Sequence, residues 1–202
     1  MTECPSARQT LESLLADERR VAGLLEGSLH YGGTFATWTD ARRFITRAIH
    51  HSGTILDIGC ANGFLLRCLQ EWSPYRLSPY GIDQDATRLG GASTLFRGAA
   101  RRFANVGVDR LQSLARLGLP HTFDFVYWNV WKKTYFDTPN ELACLASAAG
   151  AVRRRGRLIL GFYDVSSESR ETKIENLVAL GFDIAGRIGN DSCNKEAVWI
   201  ER

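Results

Sequence analysis

One short segment, residues 54–66, constrains the fold of this chain more than any other. Its sequence, TILDIGCANGFLL, begins as an apolar run, reaches an acidic residue at Asp57, and passes through the small residues Gly59, Ala61 and Gly63 into a helical pattern. This order predicts a strand, a tight loop and a helix. A loop with few side chains lets a ligand reach the backbone, and the helix N-terminus should offer free N–H groups there. The segment therefore predicts a ligand-binding turn.

The spacing of the small residues separates two kinds of turn. Dinucleotide sites place small residues first, third and sixth, the sixth allowing close helix–strand packing. Counted from Gly59, the sixth position is Phe64, which argues against a NAD-type site. The first, third and fifth positions, Gly59, Ala61 and Gly63, do fit a pattern of small residues. An ordinary turn of an unrelated α/β protein is the alternative.

At 202 residues, with 45% hydrophobic and 23% charged residues, the chain has the size and composition of one globular domain. The N-terminus lacks a basic region followed by an apolar core, and no apolar run is long enough to cross a bilayer. Five cysteines are scattered without a C-x-x-C pair, which argues against a disulfide framework or a zinc site. We expect a reduced, cytoplasmic protein with no membrane partner and no bound metal.

The net charge of +3, from 25 basic and 22 acidic residues, is too even to indicate nucleic-acid binding by itself. Arginines cluster locally at residues 101–102 and 153–155. We interpret both clusters as solvated helix ends, so nucleic acid is not the expected partner.

Residues 1–52 have a helical pattern that glycines interrupt. Apolar residues recur at helical spacing over residues 6–25, and a second helix is expected from an N-cap at Thr39 or Asp40. We expect this segment to form a partial lid over a ligand-binding domain at residues 53–202, the two making one compact unit.

The remainder of the chain alternates predicted strands and helices. After the strand that begins at residue 54, strands are expected at residues 79–83, 103–108, 122–129, 158–163, 182–186 and 197–200. The intervening helices are expected at residues 62–72, 86–102, 138–149 and 169–180. This alternation predicts an α/β fold with a doubly wound, Rossmann-like sheet of seven strands. The last two strands have no helix between them, so the final strand should be antiparallel.

In the order of its motifs, the segment from residue 54 to residue 202 resembles a class I S-adenosylmethionine-dependent methyltransferase. The run from Asp57 to Gly63 is similar to the motif D-x-G-x-G-x-G, with Ala61 in place of the middle glycine. Asp83, 20 residues beyond Gly63, stands where an acid binds ribose hydroxyls in nucleotide-binding units. Alternatively, Asp83 only caps the helix that starts near Asp85.

Further matches extend the resemblance to the C-terminal half. FDFV at residues 123–126 resembles the fourth strand of the family, and LGF at residues 180–182 resembles the start of its sixth. RGRLIL at residues 155–160 is similar to the usual P-G-G-x-L entry of the fifth strand, although arginines replace the proline and a glycine. DIGCANGFLL with EWSP and YGID resembles a group of small bacterial methyltransferases.

The resemblance implies S-adenosylmethionine as the cofactor and S-adenosylhomocysteine as its product. The implied cofactor-binding residues are Asp57, Gly59, Cys60, Ala61, Asn62, Gly63, Asp83, Gln84, Val108, Asp109 and Asn129. At the adenine end, either Asp109 accepts a hydrogen bond or Val108 supplies only backbone contact. A different frame, in which the third strand ends at residues 98–99, is the other alternative.

Aromatic residues near the predicted strand ends are candidates for an acceptor pocket: Tyr31, Trp131, Tyr135, Phe136 and Tyr163. Trp128 is expected in the core instead. Asn129 is followed by Val130 and Trp131, so the [DN]-P-P-[YF] signature of methyltransferases acting on nucleobases or glutamine is absent.

Two residues are candidates for a catalytic base. His30 lies in the glycine-rich break of the N-terminal segment, and Asp164 lies just past the fifth strand. Loop packing is the alternative role for His30 and helix capping for Asp164. The other histidines, at residues 50, 51 and 121, precede strands and belong at the opposite edge of the sheet.

These features together predict in-line transfer of a methyl group to a small-molecule acceptor. RNA methylation that uses the arginine clusters is an alternative function. A module that binds the cofactor without catalysis is another.

Overall fold

The structure, a computed structural model, describes residues 10–28, 32–96, 98–163, 166–190 and 193–202. The strands of these residues are β1 (Gly53–Ile58), β2 (Leu77–Asp83), β3 (Phe103–Asn105), β4 (Phe123–Val130), β5 (Val152–Phe162), β6 (Ile184–Asn190) and β7 (Lys195–Glu201). The α-helices are α1 (Leu11–Leu15), α2 (Glu18–Gly27), α3 (Phe35–Asp40), α4 (Phe64–Trp72), α5 (Ala86–Leu95), α6 (Pro139–Gly150) and α7 (Ser167–Ala179). Short 3₁₀ helices span Arg43–Ala48, Ala100–Arg102 and Val108–Leu117.

The strands form one seven-stranded sheet in the order β3-β2-β1-β4-β5-β7-β6. Strands β1 to β5 pair in parallel, whereas β7 lies antiparallel to both β5 and β6. The expected doubly wound sheet with an antiparallel last strand is therefore confirmed. Because β1 and β4 are central, the loops after them meet at the middle of one sheet edge.

Two hydrophobic clusters cover the two faces of the sheet. Alternate residues of β4 divide between them, so that Phe125 and Tyr127 join one cluster and Val126 and Trp128 join the other. The first cluster includes α1, α2 and α4, and the second includes α6 and α7. Trp128 is buried in the core, as the sequence predicted.

The N-terminal helices begin and end at different residues from those expected. The helix expected over residues 6–25 is divided, in the described residues, into α1 and α2, and Asp17 caps α2. The N-cap of α3 is Thr34, whose side chain accepts a backbone hydrogen bond, so the N-cap prediction at Thr39 or Asp40 is wrong. The apolar stretch that follows forms the 3₁₀ helix Arg43–Ala48 rather than an α-helix.

The N-terminal helices pack into the core. Trp38 is fully buried, and its ring stacks on Phe64 of α4 with 4.9 Å between centroids. Leu14 and Leu25 are buried in the same cluster. Loss of residues 10–48 would therefore expose one face of α4.

Close packing explains one of the two glycines in α5. A Cβ atom on Gly91 would lie 2.8 Å from the Cβ atom of Asn62, so only glycine lets α5 approach the loop after β1. The helix ends at Leu95 and the third strand begins at Phe103, which excludes the frame in which that strand ends at residues 98–99.

Strand β5 begins earlier than expected, at Val152. Residues 153–155 therefore lie within a strand, with exposed side chains, and are not a helix end as predicted. Arg153 forms an ion pair with Asp124 at 2.9 Å. Both residues lie near the amino ends of their strands, opposite the edge formed by the loops after β1 and β4.

Candidate functional site

Three polar side chains lie at neighbouring carboxyl ends of the sheet. Ile58 pairs with Ile82 on one side and with Trp128 on the other. Asp83 and Asn129 each follow one of those partners directly, and Asp57 precedes Ile58. The register thus brings the predicted residues Asp57, Asp83 and Asn129 to one edge.

The loop after β1 leaves room for a ligand at Gly59. Gly59 has a φ of +78°, and a Cβ atom added there would meet no other atom within 4 Å. Gly63 also has a positive φ, but its added Cβ would lie 3.1 Å from both Ala92 and Phe96. Gly59 therefore opens a space in front of the loop, whereas Gly63 allows α4 to pack on α5.

Most N–H groups of this loop are used inside the protein, so it offers fewer free donors than the sequence suggested. They bond to the end of β2 or within the loop, in the pairs Gly59 to Ile82 O (2.8 Å), Cys60 to Ile82 O (2.9 Å), Ala61 to Asp83 Oδ2 (2.8 Å), Gly63 to Cys60 O (2.8 Å) and Phe64 to Asn62 Oδ1 (3.2 Å). A pyrophosphate group requires free N–H donors at such a turn. This loop is therefore poorly suited to a dinucleotide.

Asp83 connects the ends of two strands. Its Oδ2 accepts the N–H of Ala61, and its Oδ1 accepts the N–H of Asp85 at 2.8 Å. The cap of α5 is Asp85, whose Oδ1 accepts from Thr87 and Arg88, so Asp83 is not that cap. A carboxylate has about four lone pairs, and Asp83 keeps acceptor capacity for a ligand hydroxyl.

Asp57 is a buried carboxyl group beside Asp83. Burial and the charge of Asp83 raise the pKa of Asp57 well above its usual range, while Arg42 opposes the shift. Two carboxyl groups in one buried region favour a ligand that carries positive charge. Arg42 was missed by the sequence reasoning, since nothing in its local pattern marks it as buried.

Asn62 and Cys60 have structural contacts instead of side chains open to a ligand. Asn62 Nδ2 donates to the Leu24 carbonyl of α2 at 2.7 Å, so it joins the N-terminal helices to the loop. The Cys60 sulfur lies against Gly81, where an added Cβ would be only 2.5 Å away. Burial also raises the pKa of the Cys60 thiol well above its usual range, which keeps the thiol protonated.

The residues predicted for the nucleoside end lie around the ends of β2 and β3. Gln84 is exposed next to Asp83. Val108 packs against the core, whereas Asp109 is exposed beside Arg110. The choice between Val108 and Asp109 as the adenine contact stays a prediction.

Asn129 presents an unsatisfied acceptor at the end of β4. Its Oδ1 atom is buried and has no hydrogen-bond partner among the described residues. A buried amide oxygen without a partner costs about 1–3 kcal/mol, so a donor from a ligand would stabilise it.

The predicted aromatic residues differ in their surroundings. Trp131 is exposed, Tyr135 is half-buried with its hydroxyl 3.4 Å from Ser169 Oγ, and Tyr163 is half-buried beside Tyr127. Phe136 is fully packed in the core, so its predicted place in an acceptor pocket is wrong. Nothing in the local sequence distinguishes the buried Phe136 from the more accessible Trp131 and Tyr135.

A tyrosine pair that the sequence reasoning missed lies between β4 and β5. The hydroxyl of the buried Tyr127 is 3.0 Å from that of Tyr163, and Gly161 leaves the space for it. The guanidinium of Arg42 lies 5.2 Å from the ring centroid of Tyr163. A polar residue at Tyr127 in an otherwise apolar strand was the available signal for this pair.

Three of the predicted site residues, His30, Tyr31 and Asp164, lie outside the described residues. His50 and His51 lie against Phe125 at the amino end of β1, so the expectation that they belong at the opposite edge is confirmed. Within the described ranges, no helix is long and apolar enough to span a membrane. The same part of the chain contains no group of three or more His, Cys, Asp or Glu residues placed to hold a metal ion.

Comparison with known proteins identifies the fold. No protein-family model matches the sequence, and no functionally curated protein is similar enough to count as a relative. Solved structures do match. A TehB-like SAM-dependent methyltransferase from Corynebacterium glutamicum is 16% identical with a TM-score of 0.57, covering 95% of this chain and 97% of its own.

Two other solved structures show the same similarity. An O-methyltransferase family protein from Burkholderia thailandensis has a TM-score of 0.61 at 14% identity, covering 100% of this chain and 65% of its own. Aeropyrum pernix fibrillarin, in complex with natively bound S-adenosyl-L-methionine, has a TM-score of 0.59 at 16% identity, covering 81% and 74%. At identities this low, the structural similarity establishes the architecture alone. The chain has the fold of the class I S-adenosylmethionine-dependent methyltransferases.

Proposed function

We propose that this protein binds S-adenosylmethionine and transfers its methyl group to a small-molecule acceptor. The observation that carries the proposal is the loop between β1 and α4. It opens a space at Gly59, uses most of its N–H groups internally, and has two buried carboxyl groups, Asp57 and Asp83, beside it. S-adenosylmethionine carries positive charge on its sulfonium and amino groups and has no phosphate.

The residues present fit this cofactor at both ends. Asp83 keeps acceptor capacity for ribose hydroxyls, with Gln84 exposed beside it. Asp57 would bind the amino group, because a cation compensates for the burial that now disfavours its charge. Asn129 Oδ1 would accept a hydrogen bond from the cofactor or from the acceptor.

When bound, S-adenosylmethionine would supply an activated methyl group, whose in-line transfer to an acceptor lone pair would break the carbon–sulfur bond and release S-adenosylhomocysteine. The protein's main task is then to hold the two reactants in alignment, which can supply about 7–11 kcal/mol. A base is required only where the acceptor must lose a proton. Asp164 and His30 stay the candidates for that base.

The fold neighbours include proteins named for ribosomal and RNA substrates as well as an O-methyltransferase family protein, so the fold does not select the acceptor. The positions of the arginine clusters favour a small molecule over RNA. Residues 101–102 and 153–155 lie at the amino ends of β3 and β5, opposite the loop after β1. Neither cluster would guide RNA to Gly59.

The test uses methyl-labelled S-adenosylmethionine with the whole protein. The protein is incubated separately with a small-molecule extract and with total RNA, and S-adenosylhomocysteine formation and the labelled fraction are measured. Label in the small-molecule pool supports the proposal. Label confined to RNA would replace it with RNA methylation, and cofactor binding without turnover in either pool would favour a non-catalytic module.

A further inference from the structure

An exposed tryptophan follows the end of β4 next to the candidate site. Trp131 is 65% exposed, the most exposed of the large apolar side chains in the described residues. It comes directly after Val130, which pairs with Phe162 at the end of β5. Exposing an indole gives up a large amount of burial free energy. Because ligands of doubly wound sheets bind at this edge, the indole is placed where an acceptor would enter.

The backbone of Trp131 is held in place by a buried lysine. Lys173 of α7 is fully buried, and its Nζ donates to the Trp131 carbonyl oxygen at 3.1 Å. The same ammonium lies 5.3 Å from the ring centroid of Tyr135 and 5.7 Å from that of Phe162. Burying an ammonium is costly unless it is well compensated. The backbone of the loop after β4 is therefore fixed by a specific contact at Trp131.

A second hydrogen bond fixes the same loop. Asn176 Nδ2, one turn further along α7, donates to the Tyr135 carbonyl oxygen at 2.8 Å. Glu141 Oε2 accepts the N–H groups of Tyr135 and Asp137. The segment after Trp131 is thus bonded to α7 on one side and to α6 on the other.

Two lysines follow the exposed indole in the chain. Lys132 and Lys133 are exposed, and Lys132 Nζ lies 6.0 Å from the centroid of the Trp131 ring. No ion pair is formed by either lysine within the described residues. Asp137, the acid on this loop, is exposed, and Glu141 in the first turn of α6 accepts the backbone N–H groups of Tyr135 and Asp137. The two residues directly after the indole are therefore cationic and would favour an anion beside it.

We propose that Trp131, Lys132 and Lys133 form an acceptor platform that takes a small, anionic molecule with a planar ring. The ring stacks on the indole, and the carboxylate or phosphate of the molecule lies between the two ammonium groups. This inference rests on the proposed methyl transfer and specifies the substrate class of that site. A small planar acid is favoured over RNA because the arginine clusters at residues 101–102 and 153–155 lie at the opposite edge of the sheet.

The test measures binding to the whole protein saturated with S-adenosylhomocysteine. The probes are 4-hydroxybenzoate, its neutral methyl ester, the non-planar anion cyclohexanecarboxylate, adenosine monophosphate, adenosine and a short single-stranded RNA. The platform predicts that an aromatic anion binds about tenfold more tightly than its neutral or non-planar counterpart. The carboxylate and phosphate arms distinguish the two sources of the anion.

Variants separate stacking from charge. Trp131→Ala should lower the affinity for the aromatic anion about tenfold, whereas Trp131→Phe should retain most of it. Lys132→Gln with Lys133→Gln should remove the preference for the acid over its ester. Tyr75→Ala, an exposed aromatic at the other edge, is the matched control and should leave binding unchanged.

Two results would overturn the inference alone. One is unchanged binding in Trp131→Ala; the other is no preference for aromatic anions, or no binding of them, in a protein that binds S-adenosylhomocysteine. Binding of the RNA alone is a case of the second result and would assign the platform to nucleic acid. Failure to bind S-adenosylhomocysteine at all would instead overturn the proposed function, and the inference with it.

Discussion

The Oδ2 atom of Asp83 lies 2.8 Å from the amide nitrogen of Ala61, and this bond ties the end of β2 to the loop after β1. In the proposed complex, the Asp83 carboxylate would bind the ribose of the cofactor. The same carboxylate fixes the shape of the turn that would lie beneath the methionine end of the cofactor. The side chain of Asp83 therefore contacts both halves of the proposed site.

Asp83→Asn is expected to damage both halves. The amide has one acceptor oxygen in place of two, so either the Ala61 or the Asp85 N–H loses its partner, which costs about 1–3 kcal/mol of unfolding free energy. Affinity for S-adenosylhomocysteine should fall at least about tenfold by calorimetry. Asp85→Ala, which removes the cap of α5, is the control: it should cost about 1 kcal/mol of stability and keep the affinity. Unchanged affinity in Asp83→Asn would refute the assigned role.

Gly59→Ala tests whether the space before the loop holds the ligand. The substitution strains a residue with a φ of +78° by about 1–2 kcal/mol, and its methyl group enters open space. We expect a folded protein that no longer binds S-adenosylhomocysteine. Gly118→Ala has the same strain at a φ of +79° and the same open surroundings, far from the loop in sequence. Equal affinity in the two variants would show that the space is not the binding site.

Asp57→Asn should separate stability from binding. The raised pKa of Asp57 means that its contribution to stability is fully present below the unfolded pKa and is lost as pH rises through the folded value. Above that value the neutral variant, measured without ligand, should be more stable than the wild type. A melting curve series over pH tests this, and an unchanged or lower melting temperature at high pH would contradict it.

The same substitution should weaken the binding of S-adenosylmethionine. A cationic amino group favours ionised Asp57, so wild-type affinity should rise with pH until the carboxyl group is ionised in the free protein. Asp57→Asn should bind at least about tenfold more weakly above that pH and should lose that component of the pH dependence. Identical pH profiles for the two proteins would exclude Asp57 as the amino-group ligand.

Trp38→Ala tests whether the N-terminal segment is part of the core. Trp38 is fully buried against Phe64, so its loss should cost about 3–5 kcal/mol of unfolding free energy. Trp131→Ala removes the same side chain from an exposed position and should change stability by less than about 0.5 kcal/mol. Similar denaturation midpoints for the two variants would show that the N-terminal helices are dispensable for the fold.

The sequence predicted the sheet well because each strand has a local signal. Period-two patterns, the short turn at Gly59 and the helix-free connection before β7 are all readable along the chain. The order of the motifs then placed Asp57, Asp83 and Asn129 at one edge. The N-terminal helices were less well predicted, since Thr34 and Asp17 compete with other polar residues as caps.

The site was harder to predict wherever it depends on long-range contacts. The use of the loop N–H groups by Ile82 and Asp83 arises from strand pairing, which no local pattern reveals. Arg42 and Lys173 are buried cations in segments that look solvent-exposed in sequence. Lys173 donates to the distant carbonyl of Trp131, and Arg42 lies over the ring of Tyr163 as well as donating to the carbonyl of Trp38 four residues away.

We infer that the loop after β1 selects a cationic methyl donor over a dinucleotide. Calorimetric titration of the whole protein with S-adenosylmethionine, S-adenosylhomocysteine and NAD tests it most directly. We predict saturable binding of the first two and no measurable binding of NAD. Binding of NAD, or no heat from either sulfur compound at high micromolar concentration, would contradict the claim.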